Sequence, residues 1–157
     1  MVNGKGNNEG KVLSINISKE KGEIKNPVEK AKIIKDQGIQ NDVHSGQPVK
    51  QISIMEQNII RDFEKKHQLD LMPGDFAENL TTKGLEISKL KVGTKLLMGE
   101  EILLQVSQIG KKCHDDCAIK DKTGHCLMPE KGIFCRVLEG GPLKRGDKIK
   151  ILDEERE

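Results

Sequence analysis

The chain has almost no aromatic side chains from which to build a core. Its 157 residues include 3 Phe and no Tyr or Trp, so a core must be aliphatic. Leu, Ile, Val and Phe make up about 27% of the chain, above the roughly 20% below which chains stay disordered. Ile is the commonest of the four, and β-branched residues favour strands. The sequence therefore predicts one folded, mostly β domain.

Charge and hydropathy exclude several classes of protein. No apolar run approaches the roughly 18 residues of a membrane span, and the start MVNGKGNNEGK lacks the apolar stretch of a secretory signal. The net charge of +2 gives no strong field for nucleic acid, and aromatic stacking platforms are missing. We therefore expect a cytoplasmic protein that binds neither membrane nor nucleic acid, with its 4 cysteines as thiols or metal ligands.

Short apolar runs between glycine-marked turns predict a β-barrel with helical insertions. The first run should be a strand with Leu13, Ile15 and Ile17 on one face. Two runs around Gly99-Glu100 indicate a hairpin.

Two further regions favour strands. Residues 28–36 fit a short helix or a strand, and we favour a strand through 31–34. The C-terminal runs predict two strands on either side of a turn at Gly140-Gly141-Pro142. We expect a flexible N-terminus at 1–10, a single domain over 11–153 and a charged tail at 154–157.

One amphipathic helix is predicted to begin at Ser53. Ser53 and Glu56 have the spacing of a capping box, and Ile52 precedes them as a staple residue. The helix should end near Gln68. Its apolar face would consist of Met55, Ile59, Ile60 and Phe63.

A long segment without periodicity lies between Gly110 and Gly132. Loops of this length inside a compact domain are usually functional or disordered. The segment carries most of the thiols and half of the imidazoles of the chain: Cys113, Cys117, Cys126, His114 and His125. It is the first candidate for a chemical site.

Cys113 is the candidate nucleophile of this segment. Lys111 and Lys112 precede it and favour the thiolate, the form that attacks or ligates, whereas Asp115 and Asp116 act in the opposite direction. The alternatives are incidental thiols and a structural zinc site. The spacing of Cys113 and Cys117 fits one pair of zinc ligands. His125 and Cys126 make a poor second pair because they are adjacent in sequence. Cys135 lies in an apolar run and is predicted to be a packed side chain.

Three other places carry candidate polar residues. Asp42 and His44 precede the predicted helix, where they could hold an anion or a polar cofactor edge, although a solvated turn is the simpler interpretation. Asn79 could hydrogen-bond backbone or a ligand, or it could be a turn amide. Lys25 could contact a phosphate, but on chemistry alone a solvated lysine is the better interpretation.

Taken in order, several motifs resemble a known family. They are Gly38-Ile39-x-x-Asp42-x-His44-x-Gly46, Gln51-x-Ser53, Pro73-Gly74-Asp75-Phe76-x-Glu78-Asn79-Leu80, Gly84-Leu85, Leu90-x-x-Gly93, the run LLQVSQIGKKC and Gly146-Asp147-x-Ile149. This set resembles the MOSC domain, named for the C-terminal part of molybdenum cofactor sulfurase, in its short stand-alone bacterial form. The resemblance spans residues 11–152 and implies a mostly β (α+β), pyruvate-kinase-barrel-like fold.

The resemblance also implies a chemistry. Family members are thought to bind molybdenum cofactor (molybdopterin), transiently or permanently, or to handle sulfur for metal–sulfur chemistry. Cys113 matches the cysteine regarded as the sulfur carrier or molybdenum ligand, and Cys117 would resolve a persulfide or supply a second thiolate. The residues expected to attract or orient the cofactor are Lys25, Asp42, His44, Lys50, Gln51, Asn79, Lys111 and Lys112.

Two positions depart from the family pattern. The residue before Asp42 is usually glycine and is Asn41 here, which tolerates left-handed backbone. Lys50 stands where arginine is common, and it lacks the bidentate fork of arginine for phosphate.

The resemblance implies partners as well. The pyridoxal-phosphate desulfurase module of the large sulfurases is missing from these 157 residues, so a separate cysteine desulfurase would supply the sulfur. Molybdenum-cofactor biosynthesis proteins or molybdoenzymes would receive it. The alternatives are a zinc-clip binding module and a molybdenum-dependent reductase of N-hydroxylated compounds.

Overall fold

The structure is a computed structural model. It describes the chain in the ranges 9–19, 25–43, 45–47, 51–68, 70, 78–85, 90–109 and 132–152. The strands are β1 (Glu9–Ile17), β2 (Asn26–Val28), β3 (Lys30–Ile34), β4 (Gly38–Ile39), β5 (Ile52–Glu56), β6 (Leu80–Lys83), β7 (Lys95–Met98), β8 (Ile102–Ile109), β9 (Ile133–Glu139), β10 (Gly141–Lys144) and β11 (Lys148–Ile151). The helix of the described residues is α1 (Gln57–His67).

Seven of these strands close into a barrel. The ring order is β11-β7-β8-β9-β5-β6-β1, and β1 pairs again with β11. The ring is antiparallel except for β5 and β6, which run parallel and are joined through a crossover that includes α1. The predicted β-barrel with a helical insertion is therefore confirmed.

Closure depends on the two halves of β1. Its first residues, Glu9 to Lys11, pair with β11, and its last residues, Ile15 to Ile17, pair with β2. A bulge between Val12 and Ser14 separates the two parts of its pairing with β6. A bulge adds a residue on one strand and shifts the alternation of side chains.

This bulge corrects the predicted face of the first strand. Val12 and Ile15 are fully buried in the core, whereas Leu13 and Ile17 are only half-buried. Regular alternation would have placed Leu13, Ile15 and Ile17 together, but alternation ends where the register shifts. The strand also begins at Glu9, two residues before the expected start of the domain.

A small second sheet has the order β10-β3-β4. The strand predicted through 31–34 is confirmed as β3. Gly141 and Pro142 do not form the predicted turn, because they begin β10, which pairs with β3. The two C-terminal barrel strands, β9 and β11, are therefore not neighbours.

The predicted hairpin is confirmed as β7 and β8, with Lys95 opposite Gln105 and Met98 opposite Ile102. Leu104 and Val106 are buried, as the alternation indicated. Together with the inward side chains of the other strands, they form a continuous aliphatic core of Val, Ile, Leu and Met residues with Cys135. This core matches the expectation from composition.

The predicted start of the helix is wrong. Residues 52–56 form strand β5, all five of them buried, and α1 begins only at Gln57. Glu56 is the N-cap, and its carboxylate accepts a hydrogen bond from the Asn58 amide at 2.8 Å. The predicted end at Gln68 is confirmed as a left-handed C-cap. Among the described residues, no helix is long and apolar enough to cross a membrane.

Candidate functional site

A buried ion pair is the most unusual polar contact in the described chain. Lys25 Nζ lies 2.8 Å from Asp42 Oδ1, and the two side chains are 1% and 0% exposed. Lys25 Nζ also donates to Ser18 Oγ at 3.0 Å, and the Ser18 amide donates to the same Asp42 oxygen at 2.9 Å. The interpretation of Lys25 as a solvated lysine is therefore wrong. A buried charge of this kind is stable only when it is paired and hydrogen-bonded.

The local backbone brings Asp42 to this position. Asn41 has φ of +73°, so it adopts the left-handed conformation that glycine usually supplies, as the sequence indicated. The Asp42 amide donates to the Ile39 carbonyl at 3.1 Å, and the Asp42 carbonyl accepts from Ser45. The Val43 amide then donates to the Ser18 carbonyl at 2.8 Å, which ties the turn to the end of β1.

Gln51 connects the same turn to the barrel. Its Nε2 donates to the carbonyls of Asp36 and Gln47 at 3.2 and 2.9 Å, and its Oε1 accepts from the Val137 amide at 2.9 Å. The backbone at Gly38 lies close to Gln51, because a Cβ added at Gly38 would lie 2.7 Å from the Gln51 carbonyl oxygen. Gln51 therefore holds the turn over 36–47 against β9.

Asn79 is fully buried and links two strands. Its Oδ1 accepts from the Ser53 amide at 2.9 Å and from the Ser53 hydroxyl at 3.2 Å, and its Nδ2 donates to the Asn16 carbonyl at 3.1 Å. Its own amide donates to Ser53 Oγ at 2.9 Å. These bonds join β5 to β1 next to the start of β6. The prediction that the Asn79 side chain hydrogen-bonds the backbone is therefore confirmed. A contact with a ligand stays a prediction.

Sequence reasoning missed the partners in these networks. No motif of the sequence points to Ser18, and the sequence predicts Ser53 as a helix cap. The signals were weak, since a serine at the end of a strand and a serine before an apolar run are common. Their roles depend on contacts with Asp42 and with Asn79, each more than 20 residues away in sequence.

The four cysteines divide into two groups. Cys135 lies on β9 with no exposed surface and is a free thiol, which confirms it as a packed side chain. Burial raises the pKa of the Cys135 thiol far above its usual range, so the reactive thiolate does not form there. Cys113, Cys117 and Cys126 lie in 110–131, outside the described residues.

Several other predicted site residues also fall outside the described part of the chain. These are His44, Lys50, Lys111 and Lys112. The zinc ligands considered for 113–126 lie in the same undescribed segment. Within the described ranges, no group of three or more His, Cys, Asp and Glu side chains is placed to hold a metal ion.

The barrel does define where the cysteine segment is attached. It follows Ile109 at the end of β8 and precedes β9, and Ile109 and Ile133 are paired. The segment thus joins two neighbouring antiparallel strands. Gln51 contacts β9 at Val137. Val137 lies four residues beyond Ile133, which is about 13 Å along the strand at 3.3 Å per residue.

Comparison with known proteins identifies the family. The profile of the MOSC domain matches residues 41–150, most of the chain. The chain belongs to the MOSC domain family. This family is associated with molybdenum-cofactor-related functions.

Solved structures show the same fold. The YuaD protein from Bacillus subtilis has a TM-score of 0.73 at 18% identity, over 91% of this chain and 95% of that one. YiiM from Geobacillus stearothermophilus has a TM-score of 0.72 at 24% identity, over 92% and 75%. YiiM from Escherichia coli has a TM-score of 0.62 at 21% identity, over 92% and 70%. No curated protein matches the chain in sequence.

The described residues of this MOSC domain do not by themselves form a binding site for a pterin phosphate. The Lys25 ammonium is neutralised by Asp42, and both hydrogens of the Gln51 amide group are taken up by backbone carbonyls. The Asn79 oxygen already accepts two bonds. These groups fit a scaffold better than a cofactor contact, and their role in cofactor binding stays a prediction.

Proposed function

We propose that this MOSC protein carries activated sulfur on Cys113 for molybdenum-cofactor-related chemistry. The proposal rests on membership of a family associated with that cofactor and on the complete burial of Cys135. A sulfur carrier needs a thiolate that a partner protein can reach. Cys135 meets neither condition, so the carrier is one of the cysteines between β8 and β9.

Among these cysteines, Cys113 has the two lysines before it in sequence. Lys111 and Lys112 favour a thiolate at the next position, although Asp115 and Asp116 act in the opposite direction, and Cys113 follows the end of β8 by only four residues. We assign Cys117 as the resolving thiol: its thiolate attacks the inner sulfur of the Cys113 persulfide, the Cys113–Cys117 disulfide forms, sulfide leaves, and a dithiol reductant restores both thiols. Lys25, Asp42, Gln51 and Asn79 contribute to the scaffold of the barrel.

The transfer step balances without an external oxidant. The Cys113 thiolate attacks the outer sulfur of a cysteine persulfide on a desulfurase, the S–S bond of the donor breaks, and the donor thiolate leaves. Cys113 then holds the sulfur as its own persulfide anion. In a second exchange of the same kind, a thiolate on an acceptor protein attacks the outer sulfur of the Cys113 persulfide, the S–S bond breaks, and the Cys113 thiolate leaves.

The test is transfer of labelled sulfur in the full chain. A cysteine desulfurase is loaded anaerobically with ³⁵S-cysteine and mixed with the wild-type chain or with Cys113→Ala, and protein-bound label is counted on non-reducing gels. We expect label on the wild type and at least about a tenfold loss in Cys113→Ala, because the attacking thiolate is removed.

Two matched variants make the test specific. Cys135→Ala removes a thiol from the core and should keep the label, and Cys117→Ala should keep the label but slow its discharge. Wild-type labelling of Cys113→Ala would contradict the assignment. An unlabelled wild type that contains molybdenum or zinc by elemental analysis would instead support a metal-ligating segment.

A further inference from the structure

We propose that the outer face of β6, β1 and β11 binds an acidic helix of a protein partner. Three lysines lie side by side on this face. Lys11 of β1 is directly opposite Lys83 of β6 and directly opposite Lys148 of β11. Residues that are paired across strands share a face, and all three side chains are exposed. We call this row of Lys83, Lys11 and Lys148 the lysine row.

The lysine row is costly for the fold itself. Like charges directly opposite each other on neighbouring strands destabilise a sheet. Within the described ranges, none of the three lysines has an acidic side chain within 4 Å as an ion-pair partner. Among the described residues, no ion pair compensates this repulsion, and an external anion would relieve it.

The described acidic residues near the row have other neighbours. Glu9 lies opposite Lys150, two register positions from the pair of Lys11 and Lys148. Asp147 Oδ2 accepts a hydrogen bond from the Lys144 amide at 2.9 Å, and Glu29 pairs with Arg145 at 3.0 Å. In the described part of the chain, none of these three carboxylates forms an ion pair with a lysine of the row.

The small sheet carries a second like-charged pair, because Lys144 lies directly opposite Lys30. The turn before β11 lies close to β1, since Arg145 Nε donates to the Leu13 carbonyl at 3.2 Å.

The spacing of the row favours a helix as its occupant. Neighbouring strands lie about 4.8 Å apart, so the three lysines span roughly 10 Å across the strands. Carboxylates one turn apart on a helix repeat every 5.4 Å or so along its axis. A helix lying across the three strands would therefore present one carboxylate to each ammonium, and the flexible lysine stems absorb the small mismatch.

The chemistry favours protein over nucleic acid. The row consists of lysines, which act as point charges. They lack the two parallel N–H donors with which arginine binds phosphate. The whole chain has no Tyr or Trp to stack on bases and a net charge of only +2. An acidic protein helix is the ligand that the three ammonium groups would bind by ion pairs alone.

The test uses a designed peptide as its probe. The peptide is a labelled 20-residue helix with Glu on one face at one-turn intervals, and the control peptide has the same composition with Glu scattered around the helix. Fluorescence anisotropy is measured with the full chain at low ionic strength and at about 0.5 M salt. We expect the one-faced peptide to bind more tightly than the scattered one, and its binding to be lost in high salt.

Variants localise the binding. Lys11→Gln, at the centre of the row, should weaken the one-faced peptide about three- to fivefold, and replacing all three lysines by Gln should abolish measurable binding. Lys65→Gln on the exposed side of α1 makes the same charge change and should leave binding unaltered. Circular dichroism confirms that each variant is folded.

Three results would overturn the proposal. Equal binding of the two peptides would show that the row does not select a helix face. An equal loss in Lys65→Gln would show that only net charge matters. Tighter binding of a 20-base-pair DNA duplex than of the one-faced peptide would assign the face to nucleic acid.

Discussion

Lys25 and Lys11 carry the same charge in opposite settings. Lys25 is 1% exposed, and its ammonium lies between Asp42 and Ser18. Lys11 is exposed and lies between two further lysines. The buried charge is compensated within the chain because burial without a partner would be prohibitive. The exposed charges can remain uncompensated because water screens them, and this leaves them available to a partner molecule.

The largest expected effect comes from breaking the buried pair. Asp42→Asn leaves the Lys25 ammonium buried without its counter-charge, and we expect a loss of about 3–5 kcal/mol in the free energy of unfolding. Chemical denaturation measures this loss. The double variant Lys25→Met, Asp42→Leu removes both charges and should recover most of it. A loss under about 1 kcal/mol in Asp42→Asn would show that the pair is not desolvated.

A smaller effect is expected at Gln51, a buried side chain without a charge. Gln51→Leu removes the bonds to the Val137 amide and to two carbonyls, so we expect a loss of about 2 kcal/mol in the free energy of unfolding. Urea unfolding, with Gln40→Leu as the control for an exposed amide, measures it. If both variants cost the same, Gln51 does not anchor the turn.

Cys135 adds a third case to the comparison of Lys25 and Lys11, because it is a titratable side chain that is buried in its uncharged form. Its pKa is raised in the folded protein, so above the unfolded thiol pKa of about 8.5 the unfolded chain releases a proton that the folded chain keeps. Stability from this group is therefore complete at lower pH and falls as pH rises, by up to about 1.4 kcal/mol per pH unit. Denaturation between about pH 8 and 10, compared with Cys135→Ala, isolates this slope. A slope that persists unchanged in Cys135→Ala would contradict it.

The smallest expected effect has the opposite sign. Lys11→Gln removes two like-charge contacts and should raise Tm by roughly 1–2 °C at low salt. The gain should vanish at about 1 M salt, where charges are screened within about 3 Å. Differential scanning calorimetry measures it, with Lys65→Gln as the control. A fall in Tm would mean that Lys11 contributes to the fold.

Much of the barrel could be predicted from local patterns. The β7–β8 hairpin followed from two apolar runs around Gly99-Glu100, and the left-handed Asn41 followed from the resemblance to a family in which glycine is usual at that position. The start of α1 could not be predicted, because β5 is buried on both faces and its apolar residues also fit a helical period. A strand without polar alternation carries no signal of its own.

The candidate site was less predictable than the fold. The burial of Lys25 depends on Asp42, 17 residues away, and a single sequence does not reveal which of many lysines meets a carboxylate. The lysine row depends on strand order, since Lys11, Lys83 and Lys148 are neighbours only after the barrel closes. Both features are set by topology.

The central claim, that sulfur is carried between β8 and β9 and not in the core, is tested most directly by locating the sulfur. The chain is purified anaerobically, incubated with cysteine and a desulfurase, capped with iodoacetamide and digested, and the peptides with Cys113 and with Cys135 are compared by mass spectrometry. We predict one added sulfur atom on Cys113 and an unmodified Cys135. Added sulfur on Cys135, or on no cysteine while the desulfurase itself is loaded, would contradict the account.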